Sequence, residues 1–351
     1  MTASPIQAQT DDEVIVSADS HVMEPHDLWS KALGSRFGDQ APVFPEPKVG
    51  EGLQQHPGGH DPYERVKEMA ADGVSGEVLY PTLGLSLFGL DDPMLQEACF
   101  RVYNDWLIDY CSVGAERLIG IPCISLYNVD QGVAELDRCK AAGLKGALIW
   151  QAPHPDLPFT SSHYDRFWAA AQDLDMPLSL HILTGHGHAK RLDPRYGVEH
   201  YRAATNLKAL DALNAIFDFT FYGILDRHPG LELVIVETEI GWIPFSLQQW
   251  DYYFRRFRAS NPPPIEHEPS FYYKRQIYAT FFNDAVGARS FAWWRDSNCM
   301  WSNDFPHPNS TWPNSRKVIE RDLGALPSEE RARLVRETVV QLYDMRVPEL
   351  V

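Results

Sequence analysis

An apolar run, Val14-Ile-Val-Ser-Ala, leads straight into Asp19-Ser-His21. Residues i and i+2 of a strand share a face, so the pair offers one carboxylate oxygen and one imidazole nitrogen to the same point. That is half of a divalent metal site. A second imidazole, His181, ends the run Pro177-Leu-Ser-Leu, and a second carboxylate, Asp304, follows Cys299-Met-Trp-Ser-Asn303. Two carboxylates and two imidazoles form a mixed N/O set suited to Zn²⁺, Mn²⁺ or Fe²⁺. Each residue alone has an ordinary use, since a strand-end Asp commonly caps a helix and a lone His commonly packs in a core. Their coincidence at the ends of apolar runs is what points to a metal.

Further groups sit close by in the chain. Glu24 precedes Pro25, and Glu237 and Glu239 flank Thr238 just after the run Leu231–Val236. Glu24 and Glu237 are candidate ligands for a second ion. Glu237 is equally a candidate acid or base, or an acceptor that orients a ligand histidine. The catalytic roles are expected of Asp304, Glu237 and His181. His186, His188, His307 and Trp242 are candidates for substrate contact, and Arg191, Arg195 and Arg202 for clamping a carboxylate.

The elements that must position these residues alternate regularly. Short β-branched or apolar runs recur at Val14–Ala18, Gly76–Tyr80, Leu118–Cys123, Gly146–Trp150, Pro177–His181, Leu231–Val236, Ile277–Phe281 and Met300–Ser302. Helical periodicity lies between and after them, at Tyr63–Ala71, Pro93–Val113, Asp130–Ala142, Tyr164–Leu174, Tyr201–Arg227, Trp242–Arg258, Asp284–Trp294 and Ser328–Tyr343. A strand-helix unit repeated eight times predicts an α/β fold, a single (β/α)₈ TIM-type barrel. The first strand is not followed by a glycine-rich phosphate loop, which weighs against an open doubly wound sheet. Long loops are expected after strand 1 (Glu24–His60) and strand 5 (Leu183–His200), on the face where barrel enzymes gather their chemistry. A third insertion, Ser260–Tyr273, is expected on the opposite face. Residues 1–12 read as a flexible N-terminus, and 13–351 as the barrel domain.

Composition narrows the function classes. The chain has 351 residues, 44% hydrophobic, and a formal net charge of −17. Such a charge disfavours nucleic acid and anionic membrane surfaces as partners. No apolar run approaches the roughly 20 residues of a membrane helix, and the N-terminus has no signal-peptide pattern, so a cytoplasmic location is expected. Five dispersed cysteines, with no Cys-x-x-Cys pair, argue against a disulfide framework and a zinc-thiolate site.

The pieces Ala18-Asp-Ser-His-Val-Met-Glu-Pro25, Arg117-Leu-Ile-Gly-Ile-Pro122, Gly143-Leu-Lys-Gly146, Pro177–His181, Ile224-Leu-Asp-Arg-His-Pro229 and Trp301-Ser-Asn-Asp-Phe-Pro-His307 together resemble the amidohydrolase superfamily. The branch is that of aminocarboxymuconate semialdehyde decarboxylase and the orcinol-type nonoxidative decarboxylases. The resemblance implies Asp19, His21, His181 and Asp304 as ligands of the catalytic metal, with D-x-H standing for the H-x-H or E-x-H of other members. It also exposes a departure. Decarboxylating relatives carry a strand-6 His whose position, counted back from Pro244, falls here at Thr238.

Four functions follow as expectations. Hydrolysis of a small organic substrate, aromatic or carboxylated, by a metal-activated water ranks first because it needs no strand-6 His. Nonoxidative decarboxylation of an aromatic or enolic acid is the alternative, with His186, His188 or His307 delivering the proton. A dinuclear Fe or Fe/Zn oxygenase using Glu24 and Glu237 as added ligands is the third, and an inactive structural subunit of a hetero-oligomer the fourth. A homodimer is expected through the helix around Thr205–Phe221, whose apolar positions are Leu207, Leu210, Leu213 and Phe217.

Overall fold

A computed structural model describes residues 13–46, 56–186, 197–294 and 298–347. The segment 1–12, with His188, Arg191 and Arg195, lies outside the described residues. Eight strands form where the apolar runs predict them: β1 (Val16–His21), β2 (Gly76–Tyr80), β3 (Leu118–Gly120), β4 (Ala147–Ile149), β5 (Leu178–His181), β6 (Leu233–Val236), β7 (Ile277–Phe281) and β8 (Cys299–Trp301). Every pairing is parallel, in two arcs ordered β1-β2-β3 and β4-β5-β6-β7-β8.

Hydrogen bonds just beyond the strand ends join the arcs. At one seam, Leu148 N donates to Pro122 O (2.8 Å) and Ile124 N to Leu148 O (3.0 Å). At the other, Asp304 N donates to Asp19 O (3.0 Å) and His21 N to Phe305 O (2.7 Å). The sheet closes as a (β/α)₈ barrel, and its β1/β8 seam passes through three of the candidate metal ligands.

The outer layer comprises α1 (Leu28–Phe37) and α2 (Pro62–Asp72) after β1, α3 (Pro93–Cys111) after β2, α4 (Val129–Ala141) after β3 and α5 (Asp165–Asp173) after β4. Then come α6 (Glu199–Tyr201), α7 (Lys208–Phe221) and α8 (Ile224–Arg227) after β5, α9 (Ile243–Phe257) and α10 (Pro269–Gln276) after β6, and α11 (Ala285–Trp294) after β7. The chain continues through α12 (Ser315–Leu323), α13 (Ser328–Ala332) and α14 (Thr338–Leu342). Local chemistry fixes several starts. Asp61, Asp92 and Asn128 accept the first free amides of α2, α3 and α4, with Pro62 and Pro93 pre-set at the first helical position. None of the described helices is long and apolar enough to cross a membrane.

The structure departs from the sequence expectation in four places. The insertion after strand 1 holds α1, and Ser260–Tyr273 holds the start of α10. The long helix expected over 201–227 is broken: one turn of π-helix spans Arg202–Leu207, and Gly223 at φ +71° separates α7 from α8. A π turn over Arg333–Glu337 likewise interrupts the last segment. On the expected dimer helix, Leu207 is buried while Leu210 and Phe217 are exposed, Phe217 lining an apolar groove with Phe221, Trp250, Tyr253 and Phe257.

A polar clamp braces the β1/β8 seam from below. Arg65 of α2 is fully buried; its Nε lies 2.5 Å from Glu77 Oε2 on β2, and Nη1 donates to His21 O (2.7 Å). Asn303 Oδ1 accepts from Ser17 Oγ (3.0 Å) and Ser20 Oγ (2.8 Å), tying the end of β8 to β1. Removing one partner of a buried ion pair strands the other charge in low dielectric. Arg65→Met is therefore expected to destabilise the fold by about 3–5 kcal/mol, read by urea denaturation; a loss under about 1 kcal/mol, typical of exposed pairs, would show that the clamp is not what holds the seam.

Candidate metal centre

A bulge aims the first ligand pair. In the β1/β2 register Ser17 faces Glu77 but Ser20 faces Leu79, so β1 carries one extra residue between them. Asp19 lies within that bulge, and its carboxylate still meets the His21 ring: Oδ1 is 3.5 Å from His21 Nε2. From β5, His181 Nε2 comes within 3.7 Å of Asp19 Oδ1 and 3.2 Å of His21 Nε2. From the end of β8, Asp304 Oδ1 is 3.5 Å from His21 Nε2. All four side chains are fully buried.

The tautomers follow from what the other ring nitrogens touch. His21 Nδ1 lies 2.8 Å from Pro81 O and His181 Nδ1 2.8 Å from Ile182 O. A carbonyl only accepts, so each Nδ1 carries the proton and each Nε2 presents a lone pair to the other. Two lone pairs at 3.2 Å repel unless a cation lies between or beside them. Burial, with His307 and His181 adding repulsion, holds the His21 imidazolium well below the usual histidine range. The imidazole is therefore kept neutral, as metal ligation requires.

The carboxylates tell the same story. No hydrogen-bond donor reaches either oxygen of Asp19, and Asp304 has only His307, whose Nδ1 lies 2.8 Å from Oδ1, and the Asn309 side chain beside it. Burial, then the charge of Asp19, pushes the Asp304 carboxyl far above the usual carboxylate range. Two buried carboxylates with so few donors, facing two free imidazole nitrogens, suit a divalent cation, whose charge would offset a desolvation cost of several kcal/mol per ion. The donor set fits the group that the sequence implies.

Glu237 completes the group. It follows β6 at φ +60°, in the left-handed region, with its amide donating to Thr280 Oγ1 (2.8 Å). Glu239 (φ +57°) and Asp304 (φ +53°) share that conformation, which costs a non-glycine residue on the order of 1–2 kcal/mol. Backbone strain thus concentrates at the mouth. Glu237 Oε2 lies 3.7 Å from His181 Nε2, and burial together with Asp304 pushes its carboxyl up to about 8. Donor atoms of Asp19, His21, His181 and Glu237 converge on one point, as do those of His21, Glu237, Asp304 and His307.

The other residues singled out from the sequence are placed differently. The Glu24 carboxylate accepts from the amides of Thr82 (3.1 Å), Leu83 (3.0 Å) and Gly84 (2.9 Å); those bonds occupy the oxygens that a second ion would need. His186 pairs with Asp91 (2.7 Å) and packs on His154, apart from the ligand group. His307 stacks on His21 with ring centroids 4.0 Å apart, its Nε2 3.1 Å from Thr82 Oγ1. Trp242 Nε1 donates to Thr238 O (3.0 Å), bracing the loop after β6. Arg202 pairs with Glu199 on the exposed side of its turn. One residue went unread: Lys208, the first of α7, sits with Nζ 4.0 Å from Glu237 Oε1. A single basic residue at the start of a helix that otherwise carries only acidic, polar and apolar side chains was the available signal.

Comparison with known proteins places this geometry in a family. The Amidohydrolase family's sequence profile matches residues 43–345. Gamma-resorcylate decarboxylase from Rhodococcus jostii (strain RHA1) is 25% identical over 248 residues, 63% of this chain and 71% of the relative. The crystal structure of 5-carboxyvanillate decarboxylase from Sphingomonas paucimobilis superposes with a TM-score of 0.74 at 18% identity, covering 95% of this chain and 100% of the other. Dihydroxybenzoic acid decarboxylase from Polaromonas sp. JS666, with bound manganese and the inhibitor 2-nitroresorcinol, gives 0.69 at 16% identity over 95% and 97%.

Protein purified without added metal is expected to carry about one divalent transition-metal ion per chain, as a four-ligand catalytic site implies. His181→Ala is expected to lose that ion while remaining folded, because an open catalytic site contributes less to folding than a closed structural one. Elemental analysis with circular dichroism reads both; native protein that is metal-free and cannot be reconstituted would sink the assignment.

Proposed function

Because the chain belongs to the amidohydrolase family, we propose that it is a metal-dependent enzyme that decarboxylates a small aromatic or enolic acid without oxidation. The observation that carries this reading is the 248-residue match to gamma-resorcylate decarboxylase, on a site that buries an acid, Glu237, among metal-type donors. It reverses the order expected from the sequence, where hydrolysis stood first because strand 6 lacks a histidine. Thr238 does occupy that histidine's position by count, but Glu237, one residue earlier, is the side chain that meets His181.

Asp19, His21, His181 and Asp304 would hold a divalent ion, manganese or zinc among the candidates. When bound, such an ion supplies positive charge to polarise the substrate's carboxylate or phenolate oxygens. The protein's own groups do the remainder. Glu237 holds a proton on its carboxyl and delivers it to the carbon that loses CO₂; the C–C bonding pair becomes the new C–H bond. His307, 2.8 Å from Asp304 Oδ1 and 3.1 Å from Thr82 Oγ1, connects the site to a hydroxyl through which a proton can return. His186 is paired elsewhere and is not used. Deep burial keeps bulk water from the carbanion-like centre.

Hydrolysis remains the second reading, since the contact between His307 and Asp304 would also serve to take a proton from an attacking water. A dinuclear oxygenase is disfavoured by the three amide bonds on Glu24. The proposal takes residues 13–351 as one catalytic unit that associates as a homodimer. Exposed Leu210 and Phe217, beside the groove between α7 and α9, support that association, which a solution mass measurement would test.

Turnover of a hydroxylated benzoate in D₂O under anaerobic conditions is expected to release CO₂ and leave one deuteron on the carbon that bore the carboxylate. Glu237→Gln should cut kcat by about 10²- to 10⁴-fold, the range of a lost proton-transfer group, with the metal count unchanged. Oxygen-dependent turnover, or loss of an ion from that variant, would contradict the assignment.

A further inference from the structure

Lys208 is a cation in the wrong company for a purely structural role. Its side chain is 13% exposed, yet its ammonium makes no hydrogen bond among the described residues. Its contacts are Glu237 Oε1 at 4.0 Å, the limit of an ion pair, and the face of the Phe282 ring at 5.5 Å. A lysine ammonium has three donors, and one held largely out of water normally uses them. Glu237 has not turned to accept: its other oxygen faces His181. Asp304 and Glu239 feel the charge of Lys208, and neither makes a direct contact with it.

Charge points the same way. Asp19, Glu237, Glu239 and Asp304 bring four carboxylates to one mouth, on a chain of net charge −17. With a divalent ion and Lys208 in place and a proton on Glu237, the other three carboxylates leave that mouth with no net positive charge. An anionic substrate entering such a field needs a local cation with donors to spare. Phe282, 4% exposed beneath the ammonium, fixes the end of the side chain by a cation–π contact while leaving its N–H donors unused.

We propose that Lys208 is the receptor for an anionic oxygen of the substrate, so that the site selects planar organic anions over their neutral analogues. The ammonium holds this oxygen from the β6–β7 side of the mouth, where Lys208 meets Glu237 and Phe282. The inference rests on the decarboxylase reading only for the location of the substrate; it extends equally to a hydrolase acting on an anion.

The test is calorimetric binding to manganese-loaded protein of salicylate and of salicylamide, its neutral analogue, with no turnover needed. Wild type is expected to prefer salicylate by about tenfold or more, the size of one charge-assisted hydrogen bond. Lys208→Met should lose that preference by weakening salicylate alone, and Lys208→Arg should retain most of it. Equal weakening of both ligands, loss of manganese from Lys208→Met, or undiminished salicylate binding to that variant would each overturn the proposal. So would failure of wild type to bind salicylate. CO₂ release, measured separately, keeps the two readings apart: an inactive wild type that still discriminates charge through Lys208 supports this proposal and not the decarboxylase.

Discussion

Closing the barrel at β1 and β8 buries Asp19 with no donor on its oxygens and Asp304 with only His307 and Asn309 beside it, and everything at the mouth answers to that fact. Uncompensated, such burial costs more than most folds have in reserve, since the net stability of a domain is only about 5–15 kcal/mol. The surrounding structure supplies compensation of one kind only. Pro81 O and Ile182 O fix the tautomers of His21 and His181 so that lone pairs point inward, and Arg65 spends its charge on Glu77 below the seam rather than on the aspartates above it. A site built to be neutral without a cation would have placed that arginine against the carboxylates.

The chemistry then divides by position around the mouth. The four proposed ligands lie on β1 and β5 and just after β8, whereas Glu237, His307 and Lys208, the groups proposed to carry protons or meet substrate, hang from the loops after β6 and β8 and from the start of α7. The left-handed backbone at Glu237, Glu239 and Asp304 shows what that arrangement costs locally, and the barrel beneath is rigid enough to hold it. Loops carrying reactive groups above a closed sheet can change their side chains without disturbing groups held by the strands.

Much of this was legible in the sequence because a parallel strand leaves a strong local mark. Runs such as Pro177–His181 and Ile277–Phe281 could hardly be anything else, and His181, the polar residue that ends the first, fell at the mouth. What stayed hidden depends on contacts between segments distant in the chain. The β1 bulge reflects register with β2 and has no signature in Asp19-Ser-His21 itself. Glu24 looked available as a ligand until the three amides of residues 82–84, far along the chain, were seen to occupy it. Lys208 follows a π turn that helical periodicity passes over, so its direction toward Glu237 could not be inferred.

The account stands on one cation held by the two aspartates and two histidines at the β1/β8 seam. Anomalous diffraction at the absorption edge of manganese, from crystals of the manganese-loaded protein, tests it most directly. The predicted result is one peak within about 2.0–2.3 Å of Nε2 of His21 and His181 and of an oxygen of Asp19 and of Asp304. A peak ligated by Glu24, a peak bound to the Nδ1 atoms, or no peak at the seam would contradict it.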